Sequence, residues 1–62
     1  MNIYAFDLRT GDKIVVNLDE VVDVDFIYLD EDDETIYVDG MYDNGDEVNL
    51  VFDPNDEVEV IR

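Results

Sequence analysis

A chain of 62 residues with 19 Asp and Glu against 3 Lys and Arg carries a formal net charge of −16, yet 47% of it is hydrophobic. That length admits one small domain, residues 1–62, near the lower limit at which a single core offsets the entropy of folding, and the apolar content excludes a disordered acidic tail. The charge excludes direct binding to nucleic acid or anionic lipid, which demand Lys and Arg, and the absence of Ser, His and Cys excludes most nucleophilic, acid–base and soft-metal chemistry.

The first apolar run covers residues 3–8, and Arg9-Thr10-Gly11-Asp12 has the length of a hairpin turn into the second run, residues 13–18. Asp19-Glu20 makes a short break. The third run, 21–29, ends in Asp30-Glu31-Asp32-Asp33-Glu34, which is too charged to pair as strand and is expected as an exposed loop. The fourth run, 35–42, leads to Asp43-Asn44-Gly45-Asp46, where Asn-Gly predicts a type I′ turn with positive φ at both central residues. The fifth run, 47–52, meets Asp53-Pro54-Asn55-Asp56, a tight turn favoured by the fixed φ of proline, before the last run, 57–61. No segment shows a helical period.

Short alternating runs between turn formers predict an all-β domain, a small antiparallel barrel or strongly bent sheet of five to six short strands. Alternation assigns Tyr4, Phe6, Leu8, Ile14, Val16, Leu18, Val22, Val24, Phe26, Tyr28, Ile36, Val38, Tyr42, Val48, Leu50, Phe52, Val58 and Val60 to the core face. Asp23, Asp25, Asp39, Glu57 and Glu59 then face outward. Ile3, Val15, Val21, Ile27, Leu29, Tyr37, Met41, Val51 and Ile61 share that outer face, where they form a partner surface, a second buried layer or a homodimer contact.

The stretch Tyr4-Ala5-Phe6-Asp7-Leu8-Arg9-Thr10-Gly11-Asp12-Lys13-Ile14 resembles the opening of an SH3 domain, and Asp53-Pro54-Asn55-Asp56 before a final strand is similar to the turn that closes SH3-like barrels. The resemblance implies an SH3-like architecture. It implies no ligand site, because the chain has no Trp and nothing matching the aromatic groove that holds proline-rich peptides.

Paired carboxylates alone complete no catalytic role set in so small a fold, so neither an enzyme nor a cofactor is expected. Calcium is a weaker alternative. The sixth residue counted from Asp30 is Thr35 where an EF-hand loop needs Gly, and Asp39, Asp43 and Asp46 with Asn44 are the other acids able to gather a cation. Outward acids two residues apart, Asp23 with Asp25 and Glu57 with Glu59, lie about 6–7 Å apart on a strand and form rows of anions, as a nucleic-acid backbone does. The expected function is therefore an acidic interaction protein that mimics nucleic acid and inhibits a basic protein, such as a nucleic-acid-binding protein or nuclease. Its contact residues are Asp23, Asp25, Asp30, Asp32, Asp33, Asp39, Glu57 and Glu59, with Tyr37 and Met41 as apolar anchors. In composition and size it resembles the small acidic inhibitors that phages and mobile elements deploy. The competing expectation is a salt-adapted β domain whose acids serve solvation, which a single Ala and five Asn residues argue against. The start of the chain, Met1 to Asp7, lacks the features of a signal peptide, and a cytoplasmic site is expected.

Overall fold

Alternating apolar residues and turn formers build six strands, β1 Asn2–Tyr4, β2 Lys13–Asn17, β3 Glu20–Asp30, β4 Thr35–Tyr42, β5 Glu47–Phe52 and β6 Glu57–Ile61, with one 3₁₀ turn, Ala5–Asp7. The computed structural model describes residues 1–62. All pairings are antiparallel, and the strands form one sheet in the order β1-β6-β2-β3-β4-β5. The run from β2 to β5 is a meander. β6 then returns to the far side of β2, pairing with it through Ile14↔Val60 and with β1 through Ile3↔Val58. The sheet is open, with β1 and β5 as its edges, so the all-β expectation holds while the strands do not close into a barrel. No helix is long and apolar enough to cross a membrane.

The expected hairpin between the first two runs does not form, because β1 pairs with β6. The turn itself is present, with the Asp12 amide donating to the Arg9 carbonyl at 3.1 Å. The chain ahead of it leaves the sheet as a 3₁₀ turn, in which residues three apart lie on one side. That spacing buries Ala5 and Leu8 together and leaves Tyr4 and Phe6, assigned by alternation to the core, exposed. The 3₁₀ segment is held by the β5–β6 turn, where the amides of Ala5 and Phe6 donate to the carbonyls of Asp56 and Pro54 at 2.8 and 3.1 Å.

One face of the sheet carries the core of 9 buried apolar residues, centred on Val22, Val38 and Val60. In β3 the register against β4 shifts between Val24↔Gly40 and Phe26↔Asp39, leaving Asp25 without a partner. Side chains alternate with period two, so this bulge inverts every later residue of the strand. Phe26 and Tyr28, read as core, therefore stand outside, and Ile27, read as outward, packs against the core. A second shift in β2 leaves Val16 unmatched between Val15↔Val21 and Asn17↔Glu20. Leu18, also read as core, is fully exposed at the turn that follows.

Turn chemistry departs from expectation at Asn44-Gly45. Gly45 has φ +93°, but Asn44 does not share a positive φ, so the turn is not type I′. The Gly45 amide donates to the Tyr42 carbonyl at 2.9 Å and the Tyr42 amide to the Asp46 carbonyl at 2.8 Å, the three-residue hairpin arrangement with a left-handed glycine.

Gly40 faces the β3 bulge, and a Cβ placed there would lie 2.5 Å from both the Asp23 carbonyl oxygen and Val22 Cγ1. The missing side chain thus lets the two strands approach at the bulge. Gly40→Ala is expected to cost about 1–3 kcal/mol by overpacking, and Gly45→Ala, in open space but at positive φ, about 1 kcal/mol. Equilibrium urea denaturation of the two variants checks this; a Gly40→Ala loss below about 1 kcal/mol would show that the close approach at Gly40 does not limit the side chain there.

Candidate interaction face

The face opposite the core carries most of the charge, and strand register sets which side chains are neighbours there. Three rows cross it. The first runs Ile61, Lys13, Asp23, Met41, Glu47; the second Phe26, Asp39, Asn49; the third Tyr28, Tyr37, Val51. Phe26, Tyr28, Tyr37 and Val51 are 57%, 54%, 39% and 61% exposed, and the rings of Tyr28 and Tyr37 lie 6.3 Å apart with a tilt of 33°. They make an apolar island on the β3–β4–β5 surface. On one side it meets a shallow depression of about 200 Å³ lined by Asp25, Asp39, Gly40, Met41, Glu47 and Asn49. On the other it meets the β3–β4 turn and its acids.

Apart from Asp23, which is paired with Lys13, the sequence-predicted contact residues fall into three groups. Asp25, Asp39, Tyr37 and Met41 come together on this surface, with Met41 half-buried between Asp23 and Glu47. Asp30, Asp32 and Asp33 occupy the tip of the β3–β4 hairpin, where Asp30 Oδ1 accepts the amides of Asp32 at 3.0 Å and Asp33 at 3.4 Å. Asp30 therefore orders the turn, leaving Asp32 and Asp33 exposed. Glu57 and Glu59 stand on β6 opposite Tyr4 and Asn2, separated from β4 by β2 and β3. Sequence reasoning missed Phe26 and Tyr28, which alternation assigned to the core, as neighbours of Asp39 and Tyr37, while it placed Val51 on the same outer face as Tyr37. The available signal was the unbroken run Phe26-Ile27-Tyr28-Leu29, in which alternation fixes no face.

Two of the three cationic side chains are ion-paired, Lys13 at the β2 border of this face and Arg62 away from it. Lys13 Nζ lies 2.6 Å from Asp23 Oδ1 across β2 and β3, and this hydrogen bond pushes the lysine pKa up and neutralises one predicted contact acid. Arg62 grips the buried Asp12, its Nε donating to Oδ1 at 3.0 Å and a terminal nitrogen to Oδ2 at 3.1 Å, while the Arg9 amide also donates to Oδ2 at 2.9 Å. The same guanidinium reaches the Asp7 carbonyl at 3.0 Å. These are the two ion pairs of the molecule, and the other carboxylates have no cationic partner. No three carboxylates are gathered closely enough to hold a metal ion. At the Gly45 turn Asn44 braces the loop, its Oδ1 accepting the Asp46 amide at 3.0 Å and its Nδ2 donating to Asp46 Oδ2 at 3.2 Å.

Comparison with protein families, with curated proteins and with solved structures finds no match to this chain.

Hydrogen bonding from Arg62 holds the Asp12 carboxyl below the usual carboxylate range, against the opposing effect of its burial. A carboxyl with a lowered folded-state pKa contributes stability that is complete above its unfolded value and disappears as pH falls through the folded one. Asp12→Asn is thus expected to lower the melting temperature at pH 7 by roughly 5–10 °C. Its deficit against the parent should stay constant from pH 7 to about pH 5 and shrink below about pH 4. Thermal melts of both proteins between pH 3 and pH 7 check this; a deficit that persists unchanged at pH 3 would show that the Asp12 charge is not the source.

Proposed function

We propose that this chain is an acidic interaction protein that occupies the nucleic-acid-binding surface of a basic protein, such as a nucleic-acid-binding protein or nuclease, and blocks it. The observation that carries the reading is the placement of Asp25, Asp39 and Glu47 on a hydrogen-bonded sheet with no cation of the chain beside them. Asp39 and Glu47 are held in the β4–β5 ladder, where Asp39 pairs with Asn49 and Glu47 with Met41, and Asp25 is presented beside them by the β3 bulge, so the sheet backbone fixes where each anion stands. A duplex also offers fixed anions to a protein whose Lys and Arg are arranged to meet them. The net charge of −16 adds long-range attraction, which speeds encounter with a cationic surface by about 10- to 1,000-fold and weakens with salt.

We further assign an SH3-like course to the chain. The return of β6 to β2 supports it, as does the Asp53–Asp56 turn, in which the Asp56 amide donates to the Asp53 carbonyl at 3.0 Å and Asp56 Oδ2 accepts the Asp53 amide at 2.9 Å. That course supplies a scaffold and carries no proline-rich-peptide site.

Proteins captured on the immobilised chain at about 150 mM salt are expected to be basic and to be released by duplex DNA or by RNA. The double variant Asp25→Asn, Asp39→Asn should bind the captured partner about threefold to tenfold more weakly. Retention of non-basic proteins, or of basic ones that nucleic acid does not displace, would defeat the reading. Circular dichroism across a salt series separates it from salt adaptation: an inhibitor of this kind is folded at about 150 mM salt, whereas a salt-adapted domain folds only near molar concentrations.

A further inference from the structure

The apolar island beside the acidic depression has no role in a purely electrostatic mimic, and contiguous exposed rings rimmed by carboxylates mark a contact surface. Resting on the function proposed above, we propose that Phe26, Tyr28 and Tyr37 form an arginine-reading site, which takes the guanidinium groups of an arginine-rich segment of the basic partner. Charge decides among occupants. A second copy would set Asp25, Asp39 and Glu47 against another face of the same sign, and a neutral apolar partner would strip water from those carboxylates without replacing it.

The cross-strand geometry favours arginine over lysine. Phe26 and Asp39 are paired on the outer face, where opposite side chains stand about 4.5–5.5 Å apart at Cβ. A guanidinium laid on the Phe26 ring therefore reaches the Asp39 carboxylate without leaving the ring, and Asp25 flanks it at the bulge. Tyr37 lies two residues from Asp39 on the same strand and pairs with Tyr28, extending the aromatic surface for a second group. A planar, weakly hydrated cation with several donors gains from stacking and from the carboxylate together, whereas an ammonium is a hydrated point charge with no plane to stack. Glu57 and Glu59 lack this combination: their cross-strand neighbours Tyr4 and Asn2 lie at the short β1 edge, away from the island.

The test compares octa-arginine with octa-lysine, two peptides of equal charge, by titration of the intact chain at about 150 mM salt. Octa-arginine is expected to bind about fivefold tighter or more, with amide shifts centred on residues 26, 28, 37 and 39. In the double variant Phe26→Ser, Tyr37→Ser, whose parent side chains are exposed, its affinity should fall to that of octa-lysine while octa-lysine binding is unchanged. Glu57→Gln with Glu59→Gln should leave the preference for arginine intact. Equal affinities for the two peptides, or shifts centred on residues 57–59, would overturn the arginine site while leaving the electrostatic mimic standing. Failure of both peptides to bind would remove the two readings together.

Discussion

A β-ladder has a side-chain period of two, so a single unmatched residue exchanges the faces of everything that follows it in its strand. In this protein that residue is Asp25. Before it, Val22 and Val24 point into the core; after it, Ile27 does, and Phe26 and Tyr28 are turned out beside Tyr37. The bulge is supported from the neighbouring strand by Gly40, which has no Cβ to meet the Asp23 carbonyl and the Val22 side chain. Core packing and the apolar island are thus two sides of one backbone irregularity. With β3 in unbroken register the aromatic residues would point inward and Ile27 would lie in water.

The distribution of the few cations shows how the frame survives its own charge. Both ion pairs join separate segments: Lys13 meets Asp23 across the neighbouring strands β2 and β3, and Arg62 meets Asp12, which fastens the residue after β6 to the loop ahead of β2. The Arg62 pair also satisfies a buried carboxylate that would otherwise be costly, and no buried side-chain polar atom is left without a partner. Positive charge is therefore used where segments are joined, and neither ion pair involves Asp25, Asp39 or Glu47. That leaves the repulsion among the outer acids unrelieved within the molecule, so a cationic partner lowers the energy of the face it covers.

Legibility in the sequence followed the regularity of each strand. β4 and β5 pair without a register shift, and the bounds of β4, β5 and β6 agree with the runs read from the residues. Tyr37, Asp39 and Met41 could accordingly be placed outside, since β4 contains no bulge of its own and its outward set follows from Val38 pointing inward. β3 was opaque, because Phe26-Ile27-Tyr28-Leu29 has no polar residue to mark a face and a bulge leaves no compositional trace. The first run misled for another reason: Tyr4, Phe6 and Leu8 fit a period of two, while Ala5 and Leu8 fit a period of three, and burial of the small Ala5 selected the latter. At Asn44-Gly45 the hairpin was read correctly but its type I′ turn was not, because a left-handed glycine also serves the three-residue loop that forms there.

Solvation alone does not account for where the acids and aromatics stand relative to one another. Asp is a poor strand former, and exposed Phe and Tyr lose the stabilisation that burial would supply, so each of Phe26, Tyr28, Tyr37 and Asp39 occupies its place at a cost to stability in a domain with little to spare. Scattered, such residues would be ordinary surface. Here they are register neighbours, paired across β3 and β4 as Phe26 with Asp39 and Tyr28 with Tyr37. A surface selected only to hold water would keep rings and carboxylates apart, since a ring displaces the water that the carboxylate needs. Their juxtaposition instead suits a ligand that carries charge and a flat apolar face in the same group, and among protein side chains that description fits arginine.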